Sequence, residues 1–151
     1  MTVAPVIDQL DRPLGVLRLS LTARCNLACP YCCPDAKEPE GLLNLEAQLA
    51  VIRAACRLGA HTLRLTGGEP LLSDRLWPLL EQLAAGRTDP SDPLHQLRQL
   101  TLTSNGILLT PQRALQLKAL GLDRVTISLD GADAISVARM TGFPGEARTG
   151  E

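Results

Sequence analysis

The sequence predicts an α/β protein, a partial (β/α) barrel truncated after about four β/α units. Segments with a two-residue alternation take turns with segments of helical period, in the order strand, helix, strand, helix, strand, helix, strand. That order builds a parallel sheet through right-handed crossovers. The unusual local sequences fall at or just after strand ends: the cysteines near residue 25, then 67–69, 104–106 and 128–130. In a β/α barrel such ends share one rim, where active sites are built. No further strand pattern follows residue 130. Four parallel strands leave unprotected edges, so a partial chain, or one completed by a partner, is expected.

Residues 1–14 read as an irregular lead-in with Pro5 and Pro13, and residues 15–151 as the partial core domain. Residues 16–22 alternate, with Leu17, Leu19 and Leu21 facing one way and Arg18, Ser20 and Thr22 the other, a strand pattern. Asn44 caps a first helix with Glu46 in its first turn. Leu45, Leu49, Ile52 and Cys56 form its apolar face and Gly59 its stop. Thr62 to Thr66 is a second strand that runs into Gly67-Gly68-Glu69-Pro70. A second helix covers roughly 74–85, with its start blurred by Pro78, and 86–93 is a loop rich in Asp and Pro. Residues 100–103 form a third strand ending in Ser104-Asn105-Gly106. Thr110 caps a third helix, with Pro111 at its first position and Gly121 at its end. Residues 124–130 are a fourth strand, 131–142 begin another helix, and 143–151 are punctuated by Gly and Pro.

Composition narrows the function. Hydrophobic residues make up 45% and aromatics only 2%, so the core is aliphatic and mostly leucine. A net charge of -1 gives no global field for nucleic acid or an anionic membrane. No apolar run approaches the ~20 residues of a membrane span, and the start lacks the pattern of a secretory signal. Five cysteines, three of them crowded, favour a reducing cytoplasm and a metal site over disulfides. A cytoplasmic protein without membrane or nucleic-acid partners is expected.

The chemistry lies in Cys25-Asn-Leu-Ala-Cys29-Pro-Tyr-Cys32. Three thiolates this close can hold three irons of an iron–sulfur cube and leave the fourth open to a small molecule. Zinc is the rival reading, with Cys33, His61 or His95 as a fourth ligand, but it leaves the glycine motif after the second strand unexplained. Cys33 otherwise reads as a spare thiol, Cys56 as core, His61 and His95 as surface residues, and Trp77 as packing. Asp130 reads as a cap for the following turn.

The cysteine triplet and Gly67-Gly68-Glu69-Pro70 resemble the radical S-adenosylmethionine (SAM) superfamily. Within it, residues 16–142 are most similar to the N-terminal part of the GTP 3′,8-cyclase family of molybdenum cofactor biosynthesis. The matching stretches are Leu17-Arg-Leu-Ser-Leu-Thr22, the cysteine loop, Arg64-Leu-Thr-Gly-Gly-Glu-Pro70, Thr103-Ser-Asn-Gly106, Gly121-Leu-Asp-Arg-Val-Thr-Ile-Ser-Leu-Asp130 and Met140-Thr-Gly142. The resemblance implies a [4Fe–4S] cluster on Cys25, Cys29 and Cys32, with SAM chelating the open iron. It implies that Gly67, Gly68 and Glu69 receive the methionine end, that Tyr31 lies by the adenine, and that Ser128 contacts SAM. It implies reductive cleavage of SAM to a 5′-deoxyadenosyl radical, with electrons from a donor such as flavodoxin or ferredoxin. Arg18, Arg64 and Thr103 would contact a GTP substrate, a role suited to guanidinium groups facing phosphate. No catalytic residue is assigned beyond the cluster ligands. Another radical SAM reaction, such as peptide modification, and a non-catalytic iron–sulfur electron-transfer module are the alternatives.

Overall fold

The computed structural model describes residues 6–32 and 38–142; Cys33 and the 143–151 tail lie outside the described residues. Four strands, β1 (Val16–Ser20), β2 (Thr62–Thr66), β3 (Gln99–Ser104) and β4 (Arg124–Ile127), alternate with helices α1 (Leu45–Arg57), α2 (Leu76–Thr88), α3 (Pro111–Ala119) and α4 (Ala134–Thr141). All neighbouring strands are parallel, in the order β1-β2-β3-β4. Among the described residues β4 pairs with β3 alone.

Register gives the sheet two unlike faces. Leu17, Leu63 and Leu100 share one row, and Leu19, Leu65, Leu102 and Val125 the next. Leu63, Leu65, Leu100 and Leu102 are fully buried in one cluster with Leu49, Ile52 and Cys56 of α1 and Leu76, Leu79, Leu80 and Leu83 of α2. Each such leucine removes apolar surface worth roughly 1.5–3 kcal/mol. The side-chain period of two then sends the intervening residues to the other face. Arg18, Arg64, Thr101 and Arg124 form one row there, and Thr103 pairs with Thr126 in another.

Helix termini follow local chemistry. Asn44 accepts the Ala47 N–H at 2.9 Å and Thr110 that of Arg113 at 3.2 Å, which satisfies amides that no helical partner can reach. Gly59, at φ +106°, takes the chain out of α1 into β2 in a conformation that favours glycine. Pro78 falls in the first turn of α2, where its missing N–H leaves no bond unmade.

Several boundaries differ from the sequence expectation. Helix α2 runs on to Thr88, so Gly86 is helical rather than the start of a loop. The bare backbone at Gly86 makes room for Leu94, whose Cδ1 lies 2.5 Å from where a Cβ would stand. A 3₁₀ turn, Pro93–Gln96, capped by Asp92, follows the shortened loop. Strands β1 and β4 end at Ser20 and Ile127, short of residues 22 and 130. Beyond Ile127, the Ser128 N–H still bonds Ser104 O at 2.9 Å, but β3 has ended there and offers nothing further. The cap of α4 is Asp133, in a reciprocal box with Ser136, and not Asp130.

Cys56 is core as expected, and burial pushes its thiol up to about 11. His61 and His95 are exposed, and Trp77 packs on the core margin. Arg53 of α1 holds the Asp92 carboxylate through contacts of 2.8–3.1 Å, tying the helix to the Pro93–Gln96 turn. The guanidinium lowers the Asp92 pKa below the usual carboxylate value. A depressed carboxylate adds stability above its unfolded pKa and loses it as pH falls through its folded one. Asp92→Asn keeps an acceptor for Leu94 N–H but removes the charge. It is expected to cost on the order of 1 kcal/mol at pH 7. Thermal melts should show that deficit shrinking as the pH drops through the acidic carboxylate range.

Candidate functional site

The cysteine loop leaves the C-terminal end of β1 and is pinned by backbone on two sides. On one side lies the end of β2. Gly68 N–H bonds Thr22 O and Glu69 N–H bonds Arg24 O, both at 2.8 Å. A Cβ on Gly67 would lie 2.7 Å from Thr22 O, and one on Gly68 only 2.2 Å from Arg24 O. Two bare residues are therefore needed for the second strand end to reach the segment just ahead of Cys25. On the other side, Ala28 N–H bonds Thr141 O at 3.0 Å, and Gly142 closes α4 at φ +61° with its α-carbon against Ala28. Gly67, Gly68 and Gly142 thus hold the loop in place.

Glu69 is fully buried. Its Oε1 accepts Leu71 N–H at 3.0 Å and Ser104 Oγ–H at 2.9 Å; its Oε2 accepts Asn105 N–H at 2.8 Å. The carboxylate joins the ends of β2 and β3. Asn105 carries the connection onward: its Nδ2 donates to Asn26 Oδ1 at 2.8 Å and lies 3.9 Å from Cys25 Sγ. Ser128 is exposed beside Ser104, on the same rim.

Cys25 and Cys29 are half-buried and Cys32 is exposed, all as free thiols. Burial raises the Cys29 pKa; a hydrogen bond from Tyr31 offsets part of the rise, and Asp130, Cys25 and Cys32 add to it through their charge. Tyr31 is largely exposed, and its hydroxyl is held by the Asp130 carboxylate, which pushes the phenol far up. The structure therefore brings Tyr31, Cys29 and Asp130 together. Among the described residues no three Cys, His, Asp or Glu side chains converge as ligands of a single ion must.

Deeper in the sheet, Arg18 and Arg64 are register partners on the polar face, with Thr103 one row nearer the rim. Among the described residues neither guanidinium has a hydrogen-bond or ion-pair partner. Like charges paired across neighbouring strands are unfavourable without a counter-charge.

Sequence reasoning gave no role to several residues that matter here. Asn26 meets Asn105. Glu38 accepts Thr22 Oγ1–H at 2.7 Å and Ala23 N–H at 2.8 Å, and pairs with Arg75 at 3.3 Å, bracing the approach to the cysteines. Arg124 joins the arginine row. For Arg124 a signal existed, since it opens the alternation of the fourth strand. Asn26 and Glu38 make contacts that only the folded loop defines.

Comparison with known proteins shows the family. The family model described as the radical SAM superfamily matches residues 19–148. The GTP 3′,8-cyclase of Synechococcus sp. (strain WH7803) is 63% identical over 147 residues, covering 97% of this chain and 42% of that protein. The chain thus spans well under half the length of such relatives. Streptococcus suis SuiB bound to S-adenosylmethionine superposes with a TM-score of 0.63 at 21% identity, over 86% of this chain and 28% of that one. The methyltransferase TsrM from Kitasatospora setae, with cobalamin and a [4Fe–4S] cluster bound, gives 0.58 at 25% identity, over 80% and 22%.

Gly68→Ala tests the backbone contact. Its methyl group forces the β2 end away from Arg24 at a cost of about 1–3 kcal/mol. The expected outcome is a lower melting temperature together with reduced iron retention after anaerobic reconstitution.

Proposed function

The chain belongs to the radical SAM superfamily, and from that premise we propose that it forms the cofactor-binding part of an enzyme of the GTP 3′,8-cyclase type. One observation carries the reading: a three-thiol loop locked by backbone to a Gly-Gly strand end, on the rim of a parallel sheet. Residues 15–151 are then the partial core and 1–14 its lead-in.

The donor set fits a [4Fe–4S] cluster. Three free cysteine thiols on one loop are the ligand type such clusters take, and three of them leave one iron open. Cys25, Cys29 and Cys32 would hold the cluster. Bound together, the cluster and S-adenosylmethionine supply one-electron cleavage of the sulfonium to a 5′-deoxyadenosyl radical. The turn at Gly67, Gly68 and Glu69 receives the methionine end, with Glu69 keeping the turn rigid. Tyr31, oriented by Asp130, flanks the adenine, and Ser128 contacts SAM from beyond β4. Arg18 and Arg64 meet an anionic substrate on the polar face, GTP by similarity to the relatives, and Thr103 adds a hydroxyl from the row above. A one-electron donor such as flavodoxin or ferredoxin serves the rim.

Two measurements test this. Cys25→Ala, Cys29→Ala and Cys32→Ala should each lose the reconstituted cluster's iron and visible absorbance, while Cys56→Ala retains both. The reconstituted chain, given dithionite and SAM, should release 5′-deoxyadenosine and, with GTP added, form the 3′,8-cyclised nucleotide. A redox-active cluster that leaves SAM intact would show an electron-transfer module instead.

A further inference from the structure

We infer that Asn105 is a positioning residue for the cluster, whose side-chain amide donates toward Cys25 Sγ and raises the reduction potential of whatever iron–sulfur centre that thiolate holds. The inference rests on the cluster reading above and goes beyond it by naming a non-ligating residue that adjusts the centre.

The geometry comes from three contacts that leave Asn105 little freedom. Its backbone N–H donates to Glu69 Oε2 at 2.8 Å. Its Oδ1 accepts Ile107 N–H at 3.1 Å, which sets the side-chain rotamer and identifies Nδ2 as the donor end. That Nδ2 then donates to Asn26 Oδ1 at 2.8 Å and lies 3.9 Å from Cys25 Sγ. Cys25 Sγ also accepts the Leu27 N–H at 3.4 Å, so two N–H groups from different parts of the chain face one sulfur. The Leu27 donor is local to the cysteine loop. The Asn105 donor comes from the end of β3, eighty positions away, and is there because the buried Glu69 holds β2 and β3 ends together.

The physical effect has a definite sign. Reduction adds negative charge to the centre and its sulfurs. An N–H dipole aimed at a ligand sulfur stabilises the reduced form more than the oxidised form, and so raises the potential. Removing the donor lowers it. Placing a carboxylate oxygen where Nδ2 stands lowers it further, because a like charge then faces the incoming electron.

Asn105→Asp is close to isosteric and keeps an acceptor for Ile107 N–H, while Asn105→Ala removes the donor without adding charge. The unaltered chain and both variants are reconstituted anaerobically with iron and sulfide. Iron is quantified, circular dichroism checks the fold, and the midpoint potential is followed by electron paramagnetic resonance. The expected order, from highest to lowest midpoint, is the unaltered chain, Asn105→Ala, then Asn105→Asp, at matched iron content and unchanged circular dichroism. Loaded variants whose midpoints equal that of the unaltered chain would overturn the inference. So would lower iron loading at an unchanged midpoint, which is what a purely structural role produces. Failure of the unaltered chain to assemble a cluster would instead defeat the underlying reading of the cysteines, and is seen before any variant is compared.

Discussion

The arrangement depends on one close approach between two stretches of backbone. The end of β2 lies so near to residues 22–24 that side chains at positions 67 and 68 have nowhere to go. The hydrogen bonds from Gly68 and Glu69 to Thr22 and Arg24 are made possible by that closeness. Because Cys25 comes directly after Arg24, fixing this contact fixes where the cysteine loop begins. Gly142 supplies the matching constraint at Ala28. The stretch from Thr22 to Ala28, which carries Cys25, is held at both ends by main chain whose position the sheet and α4 determine. Such pre-ordering favours binding, since less conformational freedom is lost when a ligand arrives.

The glycines have a polar counterpart in Glu69. A carboxylate with no solvent exposure is tolerated only when its oxygens are satisfied. Here three donors from β3 and the Pro70–Leu72 turn satisfy them. The bonds that satisfy Glu69 also set the spacing between neighbouring strand ends. The two faces of the sheet complete the division of labour. The leucine rows seal against α1 and α2, while the arginine and threonine rows line the opposite face.

Most of the fold was legible in the sequence because it rests on periodicity. The alternation of Leu17, Leu19 and Leu63, Leu65 marked strands, and Asn44, Thr110 and Pro111 marked helix starts through chemistry local to each terminus. Pattern was less informative where a contact from elsewhere decided the outcome. Gly86 looks like a loop residue until Leu94 is seen to need its space. Asp130 looks like a cap until Asp133 takes that place and Tyr31 lies beside it. In the site, the three cysteines and the two glycines were evident from spacing. The inward turn of Glu69 and the reach of Asn105 to Asn26 were not, since each depends on strand ends that only the sheet brings together. Arg18 and Arg64 fall between these cases: alternation put them on the polar face, but their pairing in one row required the register.

One margin of the sheet has a consequence for what can join it. Among the described residues strand β4 bonds β3 on one side only, and its other flank presents backbone groups beside Ile127 and Leu129, which are 46% and 75% exposed. Unmatched amides and carbonyls next to apolar side chains are a template for strand addition. Such a flank is where a further strand adds most readily, whether from elsewhere in the same polypeptide or from another chain.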